Sequence, residues 1–244
     1  MYYPNDIMDN TSVSGSIKEN SSYLENPSSP YFDPSMNYYI CSYGGCGSTI
    51  LYKYLSNFGR AYHIHSRYPP AKLKYTGSLF STKNIRSEWF NDIDIPEDQL
   101  RFYKVIFIYR NPIHAIYSSF INTEFEGFIG ACREHIMNIG ACITGDLHLS
   151  DVVRASKDLY GIENFYDNYV NRDFKKNYHI ICVKYENLFD HFPLLNRVLE
   201  IPDCEELYPI KKETKRPAYN YHKLLQIYQP LLRKMENMDA IEIR

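Results

Sequence analysis

No apolar run in the sequence approaches the roughly 18 residues needed to cross a bilayer. The opening stretch, MYYPNDIMDNTSVSGSIKEN, has neither the basic start nor the apolar segment of a secretory signal. A cytoplasmic protein with no membrane partner is the expectation, and the sequons at Asn10 and Asn20 then stay idle. Also missing are any CxxC pair and any Cys/His spacing suited to a metal. The six cysteines, Cys41, Cys46, Cys132, Cys142, Cys182 and Cys204, read as free thiols, with Cys132 and Cys142 the pair that oxidising conditions could join. Nor is there an excess of one charge: 27 Lys and Arg stand against 29 Asp and Glu, for a formal net charge of −2. That balance argues against a nucleic-acid partner, so an anionic ligand has to be met by a local basic pocket.

What is present is enough for one large globular domain: 244 residues, 44% hydrophobic. Residues 1–36 are rich in Ser, Asn, Pro and Asp without sustained periodicity, and read as a flexible amino-terminal tail before a domain over 37–244. From there strands and helices alternate. NYYICSY (37–43) is a β-type run that breaks at Gly44, and STILYKYLSNFG places Ile50, Leu51, Tyr54, Leu55 and Phe58 at helical spacing. AYHIHSR (61–67) alternates as a second strand before Pro69 and Pro70. FYKVIFIYR (102–110) is the continuous apolar run of a buried parallel strand, followed by a helix with Pro112 in its first turn. A helical region over 149–171, a strand at 178–185, a helix interrupted at Pro193 and a last helix from about 219 complete the order. This predicts an α/β fold, a mostly parallel central sheet flanked by helices, with ligands at the carboxyl ends of the strands.

The junction GGCGST (44–49) nearly spells a phosphate loop but has no lysine before its hydroxyls. Free amides in the first turn of a helix, together with the helix dipole, make such a junction a natural seat for an anion. The bland alternative is a tight strand-to-helix turn with no ligand. A second motif, YRNPIHAIYSS, ends the buried strand with Arg110 and places Ser118 eight residues on. A third, ICVKYENL, ends a later strand at Tyr185.

In this order and at these separations the three motifs resemble the sulfotransferases that use 3′-phosphoadenosine 5′-phosphosulfate (PAPS). The resemblance extends over roughly 38–240 but is specific only at the motifs. It implies a P-loop NTPase-like sulfotransferase fold, PAPS as co-substrate, no metal, and transfer of a sulfuryl group to an acceptor hydroxyl. HIHSRYPP is closer in flavour to the carbohydrate enzymes, which tilts the acceptor toward a glycan. Carried over residue by residue, Gly45, Cys46, Gly47, Ser48 and Thr49 would cradle the 5′-phosphosulfate, and Arg110 with Ser118 would grip the 3′-phosphate. Arginine suits that task because its planar fork donates two parallel hydrogen bonds. Tyr185 would touch the adenine, against the alternative of a core tyrosine. Lys215 and Arg216, with Lys212, would add phosphate contacts from the basic stretch IKKETKRPAYN, which read alone is a solvated charge run.

Gly45 stands where the family usually has a loop Lys or Arg, the cation that stabilises the leaving oxygen. Lys72, Lys74 and Lys83 are the candidates to replace it. The proton acceptor is expected at His65, with His63 two residues earlier on the same strand face. Two alternatives stand beside this reading. One is a nucleotide-binding protein that kept the fold and lost catalysis; the other, weaker, is a P-loop kinase, which would need a loop lysine and a magnesium-binding Asp.

Overall fold

The computed structural model describes residues 23–64, 66–75, 93–118, 149–211 and 220–244. Among the described residues six strands form one sheet: β1 (Tyr23–Leu24), β2 (Asn37–Cys41), β3 (Arg60–Ile64), β4 (Tyr103–Tyr109), β5 (Ile180–Lys184) and β6 (Ile241–Ile243). They lie in the order β1-β3-β2-β4-β5-β6. The four central strands are parallel, and β1 and β6 close the two edges antiparallel. The fold is α/β with a mostly parallel sheet.

Helices pack on both faces because the strands are apolar on both. With a period of two, Tyr39, Cys41, Val105, Phe107, Tyr109, Ile180 and Cys182 face one layer. That layer is covered by α4 (Ile162–Val170) and α7 (Tyr221–Glu236). Tyr38, Ile40, Ile106, Ile108, Ile181 and Val183 face the other. There α1 (Ser48–Leu55) contributes Leu51, Tyr54 and Leu55, and α6 (Phe192–Leu199) contributes Phe192, Leu195 and Leu199. Between these elements come α2 (Pro112–Ile116), α3 (Leu149–Ala155) and α5 (Tyr185–Leu188).

Strand β2 is flanked by β3 on one side and β4 on the other, so the chain leaves it in one direction and later returns past it in the other. Such a reversal opens a crevice at the carboxyl ends of the two strands. The glycine loop after β2 and Arg110 after β4 both lie at that edge.

Three expectations are corrected. The tail boundary at residue 36 falls too late, because residues 23–36 dock on the domain. Tyr23 and Leu24 pair with β3, and backbone bonds join Asn26 N to Ser56 O (2.9 Å), Asp33 N to Phe58 O (3.1 Å) and Arg60 N to Met36 O (2.9 Å). Composition missed this because the segment is held by backbone bonds and single aromatic contacts, not by a periodic apolar face. The helical region over 149–171 is two helices, separated where Ser156 (φ 51°) and Gly161 (φ 66°) take left-handed conformations. The interruption at Pro193 lies before the proline, which occupies the first turn of α6, where its missing N–H costs nothing.

Candidate functional site at the carboxyl edge of the sheet

After Cys41 the chain runs through Ser42 and Tyr43 and then turns on Gly44 (φ 89°), Gly45 (φ 65°) and Gly47 (φ 85°) into α1. These values lie in the left-handed region that side chains resist. Gly47 is doubly constrained: a Cβ there would fall 2.3 Å from Cε2 of Tyr185. The loop therefore closes against the ring of Tyr185, which is 7% exposed. Ser48 and Thr49 head α1 with no side-chain cap, so their amides have no acceptor within the helix. Thr49 is exposed and Ser48 half-buried. Cys46 turns its side chain inward, with Sγ 3.1 Å from the Gly44 carbonyl. Burial raises the Cys46 thiol well above its ordinary range, so it is protonated and unreactive.

Arg110, the residue after β4, is 6% exposed. Its guanidinium donates from Nη1 to the Gly45 carbonyl (3.2 Å) and lies over the Tyr185 ring, 4.5 Å from the centroid. A cation held against an aromatic face is favoured electrostatically. Its backbone is clamped by Tyr43, whose hydroxyl accepts from Arg110 N (2.9 Å) and donates to Arg110 O. Asn111 caps α2, its side chain accepting from Ile113 N (2.9 Å) and His114 N (3.4 Å), and Pro112 takes the first helical position. Glu186 accepts from Asn111 N through Oε1 (2.9 Å), while its other oxygen is buried with no partner among the described residues.

The three sequence motifs thus interlock. Tyr43, immediately before the first, and Glu186 of the third both hold the second, and Arg110 bridges back to Gly45. Sequence reasoning missed Tyr43 and Glu186, although Glu186 stands inside a motif it singled out. The helix begun at Pro112 widens into a π turn at Tyr117 and Ser118, so Ser118 lies on the segment that follows Arg110. His114 was also missed. Burial, and then the nearby charge of Arg110, lower its pKa, while Glu186 raises it; the net direction is down. Its imidazole is neutral at pH 7.

His63 packs its ring on Tyr52 of α1, with centroids 4.3 Å apart. His65, Lys83, Lys212, Lys215 and Arg216 lie outside the described residues, as do Cys132 and Cys142. Lys72 and Lys74 both pair with Asp94, at 3.4 and 3.1 Å. Cys41, Cys46, Cys182 and Cys204 are free and buried. Among the described residues no group of three or more His, Cys, Asp or Glu could hold a metal ion, and no helix is long and apolar enough to cross a membrane.

The arrangement has the chemistry of an anion seat: helix-head amides, left-handed glycines and one buried guanidinium at the mouth of the loop. Comparison with protein-family models, with curated proteins and with solved structures found no match.

Proposed function

We propose that the chain is a sulfotransferase of P-loop-like fold. It would move a sulfuryl group from PAPS to an acceptor hydroxyl, with a glycan the favoured acceptor class. The observation that carries the reading is the Arg110 guanidinium, buried at the carboxyl edge and bonded to the Gly45 carbonyl at 3.2 Å. The loop's own cation is absent at Gly45, and Arg110 brings a permanent positive charge to that residue from the neighbouring strand. Transfer of this kind depends on positioning and on neutralising charge at the transferring and leaving oxygens. In this reading the amides of residues 45–49 hold the 5′-phosphosulfate. Arg110 and Ser118 recognise the 3′-phosphate, with Lys215 and Arg216 adding contacts. His65 accepts the proton of the acceptor hydroxyl as its oxygen attacks sulfur.

A protein that binds the nucleotide without turning it over is the second reading. It is favoured by the burial of Tyr185, which sits between Arg110 and Gly47 and is engaged there before any adenine arrives. Titration calorimetry with 3′-phosphoadenosine 5′-phosphate (PAP), ADP and ATP tests what the two readings share. PAP should bind at least about tenfold more tightly than either, and without magnesium, since one charge-assisted bond to the 3′-phosphate accounts for that ratio. Tighter, magnesium-dependent ATP binding would remove the basis of both. Transfer of labelled sulfate from PAPS to a panel of glycans and phenols then separates enzyme from binding protein.

A further inference from the structure

Strands β2 and β3 run parallel with Cys41 opposite Ile64, so the chain leaves β3 at the same edge at which the glycine loop leaves β2. Three residues beyond that strand end stands Arg67, half-buried. Its Nε donates to the Asn164 side chain (2.9 Å) and its Nη2 to the Gly161 carbonyl (3.2 Å), both at the head of α4. The guanidinium lies so close over Gly161 that a Cβ there would fall 2.2 Å from Nη2 and 3.2 Å from Nη1. Glycine at this position (φ 66°) thus leaves room for the fork as well as for the turn. Next to Asn164, Phe165 packs its ring on Tyr43, centroids 6.1 Å apart, and Tyr43 holds Arg110. Both arginines stand at one rim of the sheet.

The two partners of Arg67 are neutral, and the carboxylates near the head of α4 are spent elsewhere. Asp158 accepts from the Tyr228 hydroxyl (2.7 Å) and the Glu163 amide (2.9 Å), while Glu163 and Asp167 share Lys234 (2.9 and 2.7 Å). No ion pair among the described residues includes Arg67. Nη1 carries no hydrogen bond among the described residues and is open to solvent. Beside it Tyr68 is 62% exposed, with its ring centroid 6.0 Å from the guanidinium carbon. A merely solvated arginine has no need of a fixed orientation. This one is ordered in advance by neutral groups, with its charge unanswered and a flat ring next to it, which is how a site lowers the cost of binding.

We propose that Arg67 reads the acceptor, binding the carboxylate of a uronic acid while Tyr68 offers its ring to the face of the sugar. The inference rests on the reading of the chain as a glycan sulfotransferase and narrows the acceptor to an acidic glycan. Nη1 keeps two N–H groups, and a carboxylate accepts from such a donor with a charge-assisted bond. A neutral sugar meets the ring and leaves the charge unanswered, and an amino sugar is repelled. Because Arg67 acts on a part of the acceptor that does not react, it decides which glycan is held in position and takes no part in moving the sulfuryl group.

Calorimetric titration of the full chain at pH 7 and low salt, with and without PAP, compares an oligosaccharide of alternating glucuronate and N-acetylglucosamine with its carboxyl-reduced form. The acid should bind at least about tenfold more tightly, and added salt should shrink that ratio. Arg67→Gln should erase the ratio. Asn164→Ala, at an exposed position, frees the fork without removing it and should lower the ratio by about threefold or more even where Arg67→Gln does not fold. Tyr68→Ala should weaken binding of the acid by about threefold or more. PAP affinity, read on the same samples, should stay the same in all three variants. A parent that binds PAP but shows no preference for the acid overturns this inference alone, and one that prefers the acid but does not bind PAP overturns the nucleotide reading alone. A preference that survives both Arg67→Gln and Asn164→Ala overturns the assignment to Arg67.

Discussion

Replacing Gly47 by alanine probes the geometry on which the site depends. Two costs add. The residue sits at φ 85°, and a side chain in the left-handed region costs about 1–2 kcal/mol. The new methyl would also lie 2.3 Å from Cε2 and 2.5 Å from Cδ2 of Tyr185. That ring cannot simply withdraw, because it is 7% exposed and has the Arg110 guanidinium 4.5 Å from its centroid. Overpacking of this kind costs about 1–3 kcal/mol. The sum, about 2–5 kcal/mol, corresponds to a fall in Tm of roughly 5–15 °C for a domain of this size. Urea denaturation gives the value, and a cycle with Tyr185→Leu divides it. With the ring gone only the backbone cost should remain, so the two substitutions should couple by about 1–3 kcal/mol. A Gly47→Ala protein that loses less than about 1 kcal/mol, or the same amount in both backgrounds, would refute the contact between the glycine loop and Tyr185.

Other expectations are independent of any ligand. Removing residues 1–36 should cost more than about 2 kcal/mol, seen as a Tm lowered by more than about 5 °C relative to a chain beginning at residue 23, because β1 and the backbone bonds of residues 26–36 go with it. Tyr43→Phe should cost about 2–4 kcal/mol by denaturant titration, since it leaves the buried N–H and C=O of Arg110 without the hydroxyl that serves both. The folded His114 has a pKa below its ordinary 6.5, so under about pH 6.5 the unfolded chain binds more protons. Stability should therefore fall as pH drops through that value and on through the folded pKa, with no such loss above it; His114→Gln should flatten this part of the urea-midpoint profile.

The parallel core was legible in the sequence because its strands are short runs of β-branched and aromatic residues bounded by Gly, Pro or Asn, as at Tyr103–Tyr109. The edge strands were not. Tyr23–Leu24 and Ile241–Ile243 span two and three residues, too few for any period to register. The glycine loop and Arg110 were found because their signals are local. Tyr43 and Glu186 were not, because what they do is set by strand ends that meet only in the folded chain, 67 and 75 residues from their partners. Lys72 and Lys74, two of the candidates for the missing loop cation, pair with Asp94, while Arg110, expected at the 3′-phosphate, also reaches the Gly45 carbonyl. A one-dimensional reading assigns each residue one neighbourhood, and a long side chain at a strand end can serve two.

In the proposed function, the buried guanidinium after β4 would make the glycine loop a site for a nucleotide with a 3′-phosphate. Arg110→Met keeps the apolar stem on Tyr185 and removes the charge. Calorimetric titration of this variant and the parent with PAP and ADP reads the claim directly. The parent should prefer PAP by about tenfold or more, and the variant should lose most of that ratio. A variant that keeps the ratio, or a parent that shows none, would contradict the account.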